Sequence, residues 1–224
     1  PLRSYAFPAF KDAIQAQMAL VGEAIDWMSA RFGAYPFETF GYATIEGEGA
    51  SLETQTLVMV DIMMLEETTL IHELTHMWFG DWVSLDSWSE IWRNEGFATY
   101  FHIYYPLRDD PAAFEEEMAF YTDYIHGHPD LQPLSLLSAD NLFGFEAYMK
   151  GAVAVHALRQ VMGDEAFFAG LRDYFALYGG GTASEAQFKA VMEAAAGISL
   201  DGFYAEWVDP VSYTHLTLPT KRIV

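Results

Sequence analysis

The 224 residues are 52% hydrophobic and 16% aromatic, enough for a sizeable core, and carry 32 acidic against 11 basic side chains for a net charge of −21. That balance argues against nucleic acid and anionic membranes as partners. Without cysteine there are no disulfides or thiolate metal sites, so any metal must be held by His and carboxylate.

Residues 1–10 read as irregular. From Lys11 to Arg31, the side chains Ile14, Met18, Val21, Ile25 and Met28 recur every three or four positions, which predicts an amphipathic helix stopped by Gly33. Phe40 to Ile45 and Leu57 to Val60 read as strands, with a glycine-rich acidic loop after the first. Residues 66–80 read as a helix with Glu66 and Glu67 at its start, where the helix dipole favours negative charge. Residues 81–86 read as a turn. Ser87 and Glu90 have capping-box spacing and open a helix to about Tyr105 that Pro106 ends. Asp110 is a candidate cap for a helix over 111–125, and 126–144 reads as a loop. Helices over 145–162, 164–178, 184–196 and 200–207 follow, broken by glycines. A helix, a few strands and then helices predict an α+β fold with a helical second half.

No apolar run reaches the roughly 18 residues that span a bilayer, and no targeting segment is visible, so the compartment is undetermined. The start at Pro1 reads as that of an excised piece. Residues 211–224 are polar and Thr-rich, unlike the rest. They read as a foreign or disordered tail, which leaves 1–210 as one domain and gives His215 no functional weight.

The chemistry concentrates in His72-Glu73-Leu74-Thr75-His76. On a helix, two His four positions apart share a face and can bind one Zn²⁺, with Glu73 beside them to serve a water. Such a pentapeptide arises by chance in roughly one chain in a hundred of this length, so a further ligand and context are needed. A zinc hydrolase takes three protein ligands and keeps one position open. Glu95 is the strongest candidate for the third. It lies eighteen residues beyond His76 on the next helix, acidic among aromatic and apolar neighbours.

These motifs, with Asn94-Glu95-Gly96-Phe97-Ala98, Phe32-Gly33-Ala34-Tyr35-Pro36-Phe37 and Tyr148-Met149-Lys150-Gly151 in the same order, resemble the aminopeptidase N family of gluzincin metallopeptidases. The likeness extends over most of residues 11–208. It implies a thermolysin-like catalytic domain, a small mixed sheet followed by packed helices, holding one Zn²⁺ through His72, His76 and Glu95. Glu73 would be general base towards the water and then proton shuttle to the leaving amine. Tyr148 would donate to the oxyanion. Glu53 would bind the free α-amine of a peptide substrate. Here the chain departs from the family's Gly-x-Met-Glu-Asn pattern, reading Ala50-Ser51-Leu52-Glu53-Thr54. The resemblance also implies an all-β domain before this one and a helical domain after it, both absent from these residues.

The implied activity is removal of N-terminal residues from peptides. The alternatives are a zinc hydrolase of another substrate, such as an epoxide, and a non-catalytic peptide-binding relative. Glu90 and Asn94 are candidates for orienting ligands, equally for surface or capping roles. His102 and His156 read as packed or solvated, and His126 and His128 as loop residues rather than a second metal site.

Overall fold

The structure, a computed structural model, describes residues 1–47 and 49–209. The expected tail and the domain boundary at 210 lie outside the described residues. The chain opens with β1 (Leu2–Tyr5), α1 (Lys11–Phe32), β2 (Phe40–Ile45) and β3 (Val58–Asp61), followed by α2 (Glu67–Thr75) and β4 (Val83–Leu85). Then come α3 (Trp92–Tyr104), α4 (Pro111–Gly127), α5 (Gly151–Met162), α6 (Asp164–Tyr178), β5 (Gly181–Ala183), α7 (Glu185–Ala196) and α8 (Asp201–Phe203). The α+β reading holds.

The three-stranded sheet has the order β1-β2-β3, with both pairings parallel. Parallel neighbours need a crossover, and α1 supplies it between β1 and β2. Its buried stripe, Ile14, Val21, Ala24, Met28 and Phe32, follows the expected helical period. An antiparallel bridge between Leu52 and Met59 makes the sheet mixed.

Two corrections concern strands. Residues 2–5 are a strand, not irregular chain. All four are exposed, so no burial alternation marks them in the sequence. The expected turn over 81–86 contains β4, which pairs in parallel with β5 almost a hundred residues later. A three-residue strand has too few positions to show a period.

The core centres on α3. Trp92, Arg93, Glu95 and every residue from Gly96 to Phe101 are buried. A helix buried all round shows no amphipathic stripe. It packs between α2 and α5, and Phe97 stacks on Phe79 with ring centroids 4.2 Å apart. Its start is anchored by Arg93, which donates to the Tyr174 hydroxyl at 3.0 Å and the Ala183 carbonyl at 2.8 Å and pairs with Glu90 and Glu185. No helix among the described residues is long and apolar enough to cross a membrane.

Candidate metal centre and cleft

The pentapeptide lies at the end of α2, not in the middle of a longer helix. The expected helix over 66–80 stops at Thr75, and His76 is its C-cap, still in right-handed helical conformation. Phe79 bridges to Val83, and Gly80 adopts φ +130°, a turn that sends the chain into β4. The α2 segment is tied to the sheet through the Tyr42 hydroxyl, which donates to the Leu70 carbonyl at 2.7 Å. On the other side, Trp88–Glu90 forms a single 3₁₀ turn before α3, so Glu95 falls in the first turn of its helix. Ser87 caps that turn, but Glu90 does not complete a capping box and turns to Arg93.

Three donor atoms meet here. The Nε2 atoms of His72 and His76 are 3.2 Å apart, and Glu95 Oε2 lies 3.3 Å and 3.5 Å from them. A tetrahedral zinc with bonds of about 2.0–2.1 Å has donor–donor edges of about 3.3–3.4 Å. The residues therefore fit a zinc ion. Glu95 Oε2 is buried and has no hydrogen-bond partner, an arrangement that costs free energy unless a cation meets it. Burial opposes ionisation of Glu95, but His76 and His72 outweigh it and hold the carboxyl well below its usual range. Among the described residues this is the cluster of His and carboxylate donors with metal-binding spacing.

The second half of each imidazole is also occupied. His76 Nδ1 donates to the Phe79 carbonyl at 3.1 Å, which leaves its Nε2 lone pair for a cation. His72 Nδ1 lies 3.2 Å from His102 Nδ1. Glu73, 6% exposed, has Oε2 buried without a hydrogen-bond partner. Burial pushes its carboxyl up to about 8.

Tyr148 is carried on one π-helical turn, Glu146–Lys150, which runs into α5. Such turns are rare and concentrate at functional sites. Its ring stacks on His72, centroids 5.9 Å apart and 13° from parallel. Lys150 Nζ donates to the Gln132 carbonyl at 2.8 Å and Glu146 accepts from the Gln132 amide at 3.1 Å, so the preceding loop grips the turn at both ends. Burial, then Glu95, raises the Tyr148 phenol far above its ordinary value, and the hydroxyl keeps its proton at neutral pH.

The glycines of two separated motifs explain each other. A Cβ on Gly96 would lie 2.7 Å from the carbonyl carbon of Gly151, and one on Gly151 would lie 2.8 Å from Gly96 Cα. The backbones of α3 and α5 touch there, one residue from Glu95 and three from Tyr148. Gly96→Ala is expected to force the helices apart and destabilise the fold by about 1–3 kcal/mol. Urea unfolding of both forms measures it, and an unchanged midpoint would contradict the close contact.

A cavity of about 710 Å³ opens beside the donors. Its wall includes Gly49, Ala50, Ser51, His72, Glu73, His102, Glu117, Tyr121 and Tyr148. Glu66 also lines it, and among the described residues no Lys or Arg does. Glu53 is half-buried and does not line this cavity. It sits on the segment held by the Leu52–Met59 bridge, with hydrogen bonds of 2.8 and 2.9 Å, and its charge reaches His72, Glu73, His76 and Tyr148. The glycine-rich loop before it is held by Asp61, whose carboxylate accepts from the Gly49 and Met63 amides at 2.9 and 2.8 Å.

From sequence alone, Asp61 goes unmentioned, Lys150 is quoted only within its motif and His102 reads as packed or solvated. His102 alone had a legible signal: it follows Glu95 by seven residues, two helical turns on the same face. The Asn94 amide packs against Gly80. His128 bonds to the Tyr124 carbonyl at 2.7 Å, and among the described residues His126 and His128 join no donor cluster.

The family model described as the Peptidase family M1 domain matches residues 28–207, a span that includes all six of the expected site residues. The chain belongs to peptidase family M1. It is 33% identical over 161 aligned positions to the thyrotropin-releasing hormone-degrading ectoenzyme of Mus musculus, covering 64% of this chain and 15% of that protein. It is 27% identical to aminopeptidase N of Streptomyces lividans, covering 93% of this chain and 28% of that protein. The M1 zinc metallopeptidase of Deinococcus radiodurans superposes with a TM-score of 0.80 at 30% identity, over 89% of this chain and 45% of that one. A mutant of that enzyme has been solved bound to a Tyr-Ser-Ala substrate. The chain thus spans 15–28% of the length of these two curated relatives.

Proposed function

We propose that this M1 chain carries the catalytic centre of a zinc-dependent aminopeptidase that removes N-terminal residues from peptides. The observation that supports it most is the donor triangle of His72, His76 and Glu95 at zinc-binding separations, with the buried Glu73 Oε2, which has no hydrogen-bond partner, on the neighbouring residue. In this reading His72, His76 and Glu95 hold the metal. When bound, zinc polarises the scissile carbonyl and lowers the pKa of water to about 7. Glu73 accepts a proton from the attacking water and delivers it to the departing amine. Tyr148 donates its hydroxyl hydrogen to the carbonyl oxygen as negative charge develops there.

Glu53 accepts from the α-ammonium of the substrate, so that the first peptide bond reaches the metal. Its environment favours this, since the neighbouring cavity carries Glu66 and Glu117 and, among the described residues, no Lys or Arg. Residues 1–210 form one catalytic domain in this reading, with further domains of the parent enzyme completing the walls of the cleft.

Aminoacyl and N-acetylated fluorogenic peptides, given to the full chain with and without chelator, test the proposal. The free-amine substrates are expected to be cleaved and the acetylated ones spared, with chelator abolishing turnover. Glu53→Ala is expected to lower kcat/KM for free-amine substrates about 10- to 150-fold, the value of about 1.5–3 kcal/mol for a hydrogen bond to a charged group. Equal cleavage of acetylated peptides would remove Glu53 from the amine site, and turnover of an epoxide substrate alone would replace the peptidase reading.

A further inference from the structure

We infer that His102 is a positioning residue that selects the metal-binding tautomer of His72. The inference rests on the zinc reading above. His102 Nδ1 stands 3.2 Å from His72 Nδ1, with ring centroids 5.4 Å apart. A neutral imidazole has one N–H and one lone pair. For His72 Nε2 to offer its lone pair towards His76 and Glu95, the His72 hydrogen must sit on Nδ1. That hydrogen is then donated to the lone pair of His102 Nδ1, and His102 keeps its own hydrogen on Nε2. The opposite polarity would put the His72 hydrogen on Nε2, facing Glu95 Oε2 at 3.3 Å, and close the site to a cation.

The two metal-facing histidines are therefore held differently. His76 is oriented by the Phe79 carbonyl, a group that only accepts. His72 is oriented by an imidazole, which accepts in one tautomer and donates in the other. Partners of ligating histidines are ordinarily carboxylates, carbonyls or water. The His102 ring adds no negative charge, so among these contacts the carboxylate at the donors is Glu95 alone.

The test is zinc affinity of the full chain, measured by competition with a chromophoric chelator, for the unsubstituted protein, His102→Leu and His102→Asn. The Asn side-chain oxygen falls where the His Nδ1 lies, so Asn restores the acceptor and Leu removes it. The Kd for zinc is expected to rise about 10- to 100-fold in His102→Leu and to return to within about threefold of the unsubstituted value in His102→Asn. Equal affinity in all three, or equal loss in both variants, overturns the inference. Ring ¹⁵N NMR of the unsubstituted zinc-loaded chain, independent of how the variants fold, is expected to find His102 protonated at Nε2. Protonation at Nδ1 overturns it. If the unsubstituted chain takes up no zinc, the metal reading itself fails. If it takes up zinc and His102→Leu takes it up equally well, the positioning role alone fails.

Discussion

Glu73→Gln is expected to keep zinc in the full chain while lowering kcat about 10²- to 10⁴-fold, the usual contribution of a positioned general base. Glu73 follows His72 directly on α2, yet its carboxylate is not among the three atoms of the donor triangle. Replacing it therefore removes no ligand. Gln has the same shape, so the packing of a side chain that is 6% exposed is preserved. What would be lost, on the proposed function, is the proton acceptor. Oε2 of Glu73 is buried with no hydrogen-bond partner, and the burial that raises its pKa to about 8 makes the ionised carboxylate a stronger base towards water. Metal content and single-substrate kinetics on the two proteins check the prediction together. Turnover within tenfold of the unsubstituted enzyme, with zinc present, would remove Glu73 from the base role.

Tyr148→Phe is expected to lower kcat about 10²- to 10³-fold, or about 2.7–4 kcal/mol, with little change in KM. The split follows from where the hydroxyl acts. A donor aimed at charge that develops only in the transition state contributes little to ground-state binding. The Phe ring retains the stacking on His72, so the metal centre is expected to stay intact. The phenol is held far above its ordinary pKa, first by burial and then by Glu95, and is a proton donor across the working pH range. A large rise in KM with kcat unchanged would instead make Tyr148 a substrate-binding residue.

Much of the fold is legible wherever one element carries its own signals. The helix α1 has a five-residue apolar stripe and a glycine stop. Asp110 caps α4 by accepting from the Ala113 amide at 3.1 Å, and Ser184 and Gln187 form a capping box at α7. What escapes the sequence depends on distant partners. The pairing of β4 with β5 joins two three-residue segments that are individually too short to show alternation. The early end of α2 at Thr75 follows from the Phe79–Val83 bridge and from Gly80, not from a poor helix former within 76–79. The π-helical turn under Tyr148 is fixed by Lys150 and Glu146 reaching Gln132.

The candidate site divides in the same way. Spacing alone pairs His72 with His76, because four residues make one helical turn, and an acidic residue inside an apolar helix singles out Glu95. Neither motif by itself shows that Gly96 and Gly151 meet in space. Their contact brings the helix of Glu95 against the segment of Tyr148, which no reading of either motif alone contains. The His72–His102 contact likewise joins side chains from different helices.

In the proposed function, His72, His76 and Glu95 hold a single zinc ion. Zinc titration of the metal-free full chain against a competing chelator tests it most directly. The expected result is one tightly bound ion per chain, with binding lost in both His76→Ala and Glu95→Ala. Binding of no zinc by the unsubstituted protein, or retained affinity in either variant, would contradict it.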